Sequence, residues 1–342
     1  MRDKILIIGR NEPYNVEYFI SESFKQLGFS TRLIGIKLNK YLEIIGSMSN
    51  MKFNFNKIYN KYIMREIKNF DPDIILIFKG TFLDENLVKL INSLENKKRI
   101  IIHYMNDESE NNNFINHSLR LAPFVDFIFT TAYNYLPIYY QFGFKAYYLP
   151  FACFPPIHKK ISNMKMNKYS YDVIFVGTYR QEREILLKDL LSRLTNFNEK
   201  IKIGIFGRGW QNSKYTIVKK FAIPHELIGE SLTKAYNSSK IVLNIHKPLD
   251  RIDGMKANMR VFEATGCGSL LLTDYIYGIE EFYNIGKELL SYDNVEDLFS
   301  SINFLLTNEK TCEEIAFKGF EKAHRVHTYL NRMKHMISII NF

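Results

Sequence analysis

The stretch NMRVFEATGCGSLLLTD, Asn258 to Asp274, carries the fold in miniature. Met259, Val261, Phe262 and Thr265 recur at helical spacing, and Gly266 and Gly268 stop the helix. SLLLTD then follows as a short, continuously apolar strand that ends in an aspartate. A helix delivering a fully apolar strand implies a parallel sheet covered on both faces. Arg260 and Glu263 stand three apart and share one helix face. The N-terminus of a helix carries free amides and a positive dipole, which suits a diphosphate. A carboxylate one turn further in can accept both hydroxyls of a ribose. The competing reading is an ordinary Arg–Glu pair on a surface helix.

The same alternation extends in both directions. Upstream, YDVIFVG (Tyr171 to Gly177), KIGIFG (Lys202 to Gly207) and KIVLNIH (Lys240 to His246) read as buried strands, with a helix over Glu182 to Leu194. Downstream, Asp293 to Leu306 and Glu309 to Arg325 read as the last helices of this series. The N-terminal part repeats the plan through KILIIG, FSTRLIGI, IILIFKG, RIIIHYMND, VDFIFTTA and KAYYLPFA. Between the two series, prolines at 150, 155 and 156 and a Lys- and Asn-rich run break the pattern. The expected organisation is a domain over 1–155, a linker over 156–170 and a domain over 171–325. A helix over about 326–342 is free to pack back on the first domain. In such folds ligands bind beyond the carboxyl ends of the strands, so the strand-terminal loops hold the candidate chemistry.

Three loops of the second half point to one place. Gly177-Thr178-Tyr179-Arg180 follows its first strand, and Arg180 or Arg183 can meet phosphate oxygens. Gly207-Arg208-Gly209-Trp210 follows its second strand, and the sole tryptophan is a candidate to stack on a base or a sugar, or else packs at a domain edge. Asn244 and His246 end the third strand, as hydrogen-bond partners for a ligand or as structural groups. In the first half, Asp107, and less directly Glu12 in the loop after the first strand, are candidates for the base that takes a proton from an acceptor hydroxyl. Helix capping or a turn accounts for Asp107 equally well.

Bulk properties narrow the class. The 342 residues are 46% hydrophobic and 24% charged, enough to build two cores and without a disorder signature. No apolar run spans a bilayer, and the N-terminus lacks a secretory pattern. Cys153, Cys267 and Cys312 lie far apart, without metal or redox spacing, and read as reduced thiols of a cytoplasmic protein. The net charge of +10 comes from lysines spread along the chain, and Asn96-Lys97-Lys98-Arg99 reads as a solvated helix end. No nucleic-acid module is present, so no specific nucleic-acid partner is expected. Asp71 and Asp73 precede their strand and so read as a turn at the wrong end of the sheet for a metal site. No Gly-x-Gly-x-x-Gly follows the first strand, which disfavours a bound dinucleotide. Neither a cofactor nor a metal is expected.

DVIFVGTYRQER, IFGRGW, KIVLNIH, NMRVFEATGCGSLLLTD and HTYLNRMKHMI, in this order and spacing, resemble the C-terminal domain of CgeB-like glycosyltransferases, the spore-maturation-protein type, over Tyr171 to Met336. The N-terminal half is similar more loosely, through PDIILIFKG, the aspartate of HYMND, and VDFIFTTA to YYLPFA. The resemblance implies a GT-B type α/β fold: two Rossmann-like domains whose parallel sheets face a central cleft. It implies a nucleotide-sugar donor, with a UDP-sugar favoured, held by the second domain. The acceptor, a hydroxyl of a glycan, a lipid-linked sugar or a protein, falls to the first. Glu263 then takes the ribose, and Arg260 with the amides near Asn258 and Met259 takes the diphosphate. Gly177, Thr178, Arg180, Gly207 and Arg208 line the nucleotide side. Metal-independent catalysis follows from the family's use of basic groups and helix dipoles. A lipid-linked acceptor would bring peripheral contact with the inner face of the membrane. One departure stands out: where many retaining relatives carry a second glutamate, eight residues before the first, this chain has Met255, with Asp250 and Asp253 out of register. Two other readings remain: a non-catalytic protein that binds nucleotide sugar or glycan, and a sugar-nucleotide epimerase of similar fold.

Overall fold

The computed structural model describes residues 3–35, 49–79, 85–94, 97–106, 112–161, 170–253 and 255–340. It divides into two units, Met1–Pro150 with Tyr329–Phe342, and Phe151–Thr328.

The first unit is built on β1 (Lys4–Ile8), β2 (Ser30–Ile34), β3 (Ile74–Phe78), β4 (Ile100–Met105), β5 (Phe127–Thr130) and β6 (Ala146–Tyr148). They form one parallel sheet in the order β2-β1-β3-β4-β5-β6. Every residue of β3 and β4 is buried, which explains why these strands show no alternation: both faces lie under helices. The helices are α1 (Val16–Gln26), α2 (Ser49–Phe70), α3 (Glu85–Asn92), α4 (Asn112–Leu121) and α5 (Leu136–Gln141). The strand order reverses between β1 and β3, so the crevice for a ligand opens beyond those two strand ends.

The second unit holds β7 (Tyr171–Val176), α6 (Gln181–Phe197), β8 (Ile203–Phe206), α7 (Thr216–Phe221), β9 (Ala222–Ile223), α8 (Glu230–Asn237) and β10 (Ser239–Asn244). These are followed by α9 (Pro248–Asp253), α10 (Met259–Gly266), β11 (Leu270–Asp274), β12 (Leu290–Tyr292), α11 (Val295–Thr307) and α12 (Glu309–Val326). Its parallel sheet runs β12-β11-β10-β7-β8-β9, the doubly wound order, with its reversal between β7 and β10. The ends of these two strands are therefore where this unit can hold a ligand. Leu187, Leu190, Leu191 and Leu194 of α6 pack on Val173 and Phe175 of the sheet.

Residues 151–161, part of which was expected to be linker, pack into this second unit. The Ile157 carbonyl accepts from Thr233 at 2.9 Å, and the Ile161 amide donates to Asn237 at 2.9 Å. The last helix, α13 (Tyr329–Ile340), belongs to the first unit, where Tyr329 lies 5.6 Å, ring centre to ring centre, from Phe19 of α1. Its buried residues Tyr329, Met333, Met336 and Ile340 form one apolar stripe. The three cysteines are buried, and none is in a disulfide. Among the described residues, no helix is long and apolar enough to cross a membrane.

Candidate functional site

Helix α10 starts at the switch point of the second unit, and its cap is fully engaged. Asn258 has extended backbone (φ −72°, ψ 168°), and its Oδ1 accepts from the Arg260 amide at 3.0 Å. Its Nδ2 donates to Asn244 Oδ1 at 3.0 Å, and its own amide donates to His246 Nε2 at 3.3 Å. Asn244 also donates to Thr273 Oγ1 at 3.0 Å. His246 Nδ1 lies 2.7 Å from Asp274 Oδ1, and that carboxylate also takes the His246 backbone amide at 2.9 Å. Asn244, His246, Thr273 and Asp274 are all buried. Both Asn244 and His246, candidates for direct ligand contact on sequence grounds, are turned inward instead. Each spends its polar atoms holding the start of α10.

The loops after β7 and β8 lie backbone on backbone. Gly207 sits at φ +131°, and a Cβ there would stand 2.3 Å from the Gly177 carbonyl oxygen. The Gly177 amide donates to Phe206 O at 2.8 Å, and Tyr179 N to Arg208 O at 2.8 Å. Trp210 is completely buried, packs edge-on against Phe175 and Tyr179, and donates its indole N–H to Gly177 O at 2.6 Å. This corrects the stacking reading of Trp210: the ring supports the glycine loop from beneath and offers no face to a ligand. Arg208 projects outward and pairs with Glu226 at 2.6 Å, and Thr178 is exposed. Gly207→Ala is expected to destabilise this unit by about 3 kcal/mol, since both the clash and the glycine-only φ must be relieved. Thermal unfolding should show a loss of roughly 6–12 °C, and an unchanged melting temperature would contradict the close approach.

Positive charge gathers at the same strand ends. Arg260 donates through Nε to the Val176 carbonyl, and its Nη2 lies within 3.2 Å of where a Gly177 side chain would begin. Arg183, buried in the first turn of α6, donates to Thr178 O and Ile245 O at 3.0 Å each, bracing the loop after β7 against the loop after β10. Burial first, then the nearby charges of Arg260 and Arg180, lower its pKa to about 10. Three guanidinium groups within mutual electrostatic reach favour an anion at this spot.

Glu263 lies one turn inside α10 and is buried, with His158 Nε2 at 3.9 Å from Oε1. Burial raises its pKa to about 7, against which the charge of Arg260 acts. His158 accepts the Phe154 amide on Nδ1 at 3.0 Å, and burial followed by the repulsion of His324 lowers its pKa to about 3, so it faces Glu263 uncharged. The Tyr236 hydroxyl, also close enough to feel the Glu263 charge, is buried without a hydrogen-bond partner among the described residues. Arg183, expected with Arg180 as a phosphate contact, is turned inward as a brace. His158, Tyr236 and Asp274 stand beside these groups without a local sequence pattern that marks them.

In the first unit, Glu12 is exposed and accepts from Asn15 Nδ2 at 3.3 Å. Asp107 lies outside the described residues. Glu17 of α1 is buried beside Gly9, accepts the Arg10 amide at 3.3 Å, and has its pKa raised by burial despite that hydrogen bond and the charges of Lys79 and Arg10. Asp71 and Asp73 are occupied at the amino end of the sheet. Asp73 takes the Asp3 and Lys4 amides at 2.9 Å and Lys97 at 2.7 Å, while Asp71 takes Arg99 at 2.8 Å.

Residues 180–338 match the glycosyl transferase-like family model. Each of the two units has the doubly wound α/β plan of the GT-B type fold. Among solved structures, the chain is similar to sucrose-phosphate synthase from Thermosynechococcus elongatus, with 10% identity, TM-score 0.69, and 99% of this chain and 98% of that chain covered. It is similar to HepE from Anabaena, solved with UDP and glucose, at 10% identity and TM-score 0.64, covering 99% of both chains. A glycosyltransferase from Rickettsia africae aligns at 12% identity and TM-score 0.64, covering 99% of this chain and 97% of that one. No curated protein matches the sequence.

Proposed function

We propose that the protein transfers a sugar from a nucleotide-sugar donor, a UDP-sugar, to a hydroxyl group of a glycan, lipid-linked or protein acceptor, without a metal ion. The observation that carries this reading is one helix, α10. Its capped N-terminus, Arg260 beside Gly177, and Glu263 one turn deeper stand at the switch point in the order diphosphate, then ribose. Gly207 lets the loop of Gly177 pack backbone on backbone, and Thr178, Arg180 and Met259 border the same ground. Arg208, paired with Glu226 at the surface, is the outermost contact and takes the nucleotide only by leaving that pair. The similarity to a fold solved with UDP supports the choice of base.

Breaking the anomeric bond leaves a nucleoside diphosphate with added negative charge. In this reading Arg260, Arg180 and the positive end of the α10 dipole meet that charge, and Arg183 holds their loops in position from below. The acceptor is assigned to the first unit, with Asp107 as the base that takes the hydroxyl proton and Glu12 as the weaker candidate. Asp107→Asn is expected to abolish transfer while leaving donor affinity intact. Full activity in that variant would remove Asp107 from the mechanism. The motif likeness over Tyr171 to Met336 supports placing the chain among the CgeB-like enzymes.

Thermal unfolding with UDP, GDP, CDP, dTDP and their sugar conjugates tests the donor assignment. A ligand at a hundred times its dissociation constant adds about 2.7 kcal/mol to the native state. Stabilisation by the uridine series alone, weakened in Glu263→Ala, is the expected result. Indifference to every nucleotide would favour a glycan-binding protein. Sugar isomerisation with donor alone would point to an epimerase.

A further inference from the structure

The strand-end network behind α10 has a direction built into it. Asp274 is a fully buried carboxylate that accepts twice from His246, once from the backbone amide and once from Nδ1 at 2.7 Å. A carboxylate partner requires the proton on Nδ1. The other ring nitrogen, Nε2, is thereby left bare, and it is the atom that faces the Asn258 amide at 3.3 Å. Arg251 approaches Asp274 from α9 at 3.7 Å, and the Tyr292 hydroxyl closes the network by donating to Asn244 O at 3.0 Å.

From this arrangement we infer that His246 and Asp274 form a positioning dyad for donor binding: Asp274 fixes the imidazole tautomer, and the bare Nε2 anchors the start of α10 through the Asn258 amide. Neither residue touches the donor. The dyad acts through Asn258, whose amide, side-chain nitrogen and side-chain oxygen are each spent on a different partner, so the helix start cannot rotate freely. The inference rests on the donor reading given above and specifies which groups hold that site in shape.

Two isosteric tests separate the dyad from simple packing. Asp274→Asn keeps the volume but removes the charge that holds the proton on Nδ1; with the amide N–H turned to Nδ1, the ring proton moves to Nε2 and is set against the Asn258 N–H. His246→Gln retains an acceptor near the Nε2 position, whereas His246→Asn retains one near Nδ1 only. Binding of UDP would be measured by calorimetry, and the tautomer by long-range proton–nitrogen spectra. The expected result is a loss of about tenfold in UDP affinity for Asp274→Asn and His246→Asn, with His246→Gln within about threefold of the parent. The ring proton should sit on Nδ1 in the parent and on Nε2 in Asp274→Asn. Equal affinity for His246→Gln and His246→Asn, or unchanged affinity in an Asp274→Asn protein with the inverted tautomer, would overturn the dyad. Should Asp274→Asn fail to fold, the ranking of the two His246 variants decides the question alone. If the parent protein ignores UDP, the donor reading falls, and the parent tautomer still shows whether Asp274 directs the ring.

Discussion

Replacing Glu263 by glutamine is expected to separate two pH responses that run in opposite directions in the parent protein. Burial raises the Glu263 pKa from 4.5 to about 7, so the folded protein holds that proton more tightly than the unfolded chain does. A group of this kind contributes stability that is complete below the unfolded pKa and is lost as pH rises through the folded value. Between pH 4.5 and 7 the ligand-free protein should therefore lose about 3 kcal/mol from this residue. Donor binding has the reverse sign. Ribose hydroxyls donate best to the carboxylate, so affinity for a UDP-sugar should rise by about tenfold between pH 6 and 8. In Glu263→Gln both trends flatten, and affinity at pH 8 drops by roughly 10- to 100-fold as charged hydrogen bonds are replaced by neutral ones. Denaturant melts of the ligand-free protein and calorimetry with a UDP-sugar, each across this pH range, read the two responses separately. Parent-like affinity in the glutamine variant at pH 8 would take Glu263 out of the donor site.

The second large effect belongs to Arg260. Its guanidinium is already anchored by the Val176 carbonyl through Nε, leaving the terminal nitrogens beside Gly177 for a phosphate. In the proposed transfer, charge grows on the donor diphosphate as the sugar leaves, so a contact from Arg260 is stronger in the transition state than in the bound donor. Arg260→Ala is expected to lower kcat by roughly 100- to 1000-fold, with a smaller change in donor KM. Lysine should recover little of this, because a single ammonium cannot both hold the Val176 carbonyl and present a fork to phosphate. Removing Arg260 also takes away one of the charges that depress Arg183. The brace formed by Arg183 should survive, and the fold with it. Steady-state release of nucleotide from a UDP-sugar checks the split. A pure KM effect would mean that Arg260 only gathers the donor.

The plan of both units could be read in the chain because fully apolar strands such as Ile74–Phe78 and Leu270–Asp274 alternate with helices of 3.6 periodicity. That pattern is local. Helix α10 was legible because Met259, Val261, Phe262 and Thr265 recur at helical spacing and Gly266 and Gly268 stop it. Strands β9 and β12, two and three residues long, were not, because they are too short to carry a period and exist only by pairing at sheet edges. Glu263 and Arg260 showed themselves through their spacing on one helix face. What each side chain does was a matter of tertiary structure. Trp210 and His246 end up turned inward, and His158, 105 positions from Glu263 in sequence (263 − 158), becomes its neighbour. The reason is physical: periodicity reports which face of an element is apolar, whereas hydrogen-bond partners and burial arise only when separate elements pack. From sequence alone came the alternating two-part plan, the helix that starts at the switch point and the residue types upon it. The folded chain decided which of those residues stay at the surface of the strand ends and which, like Asp274 and His246, are buried behind them.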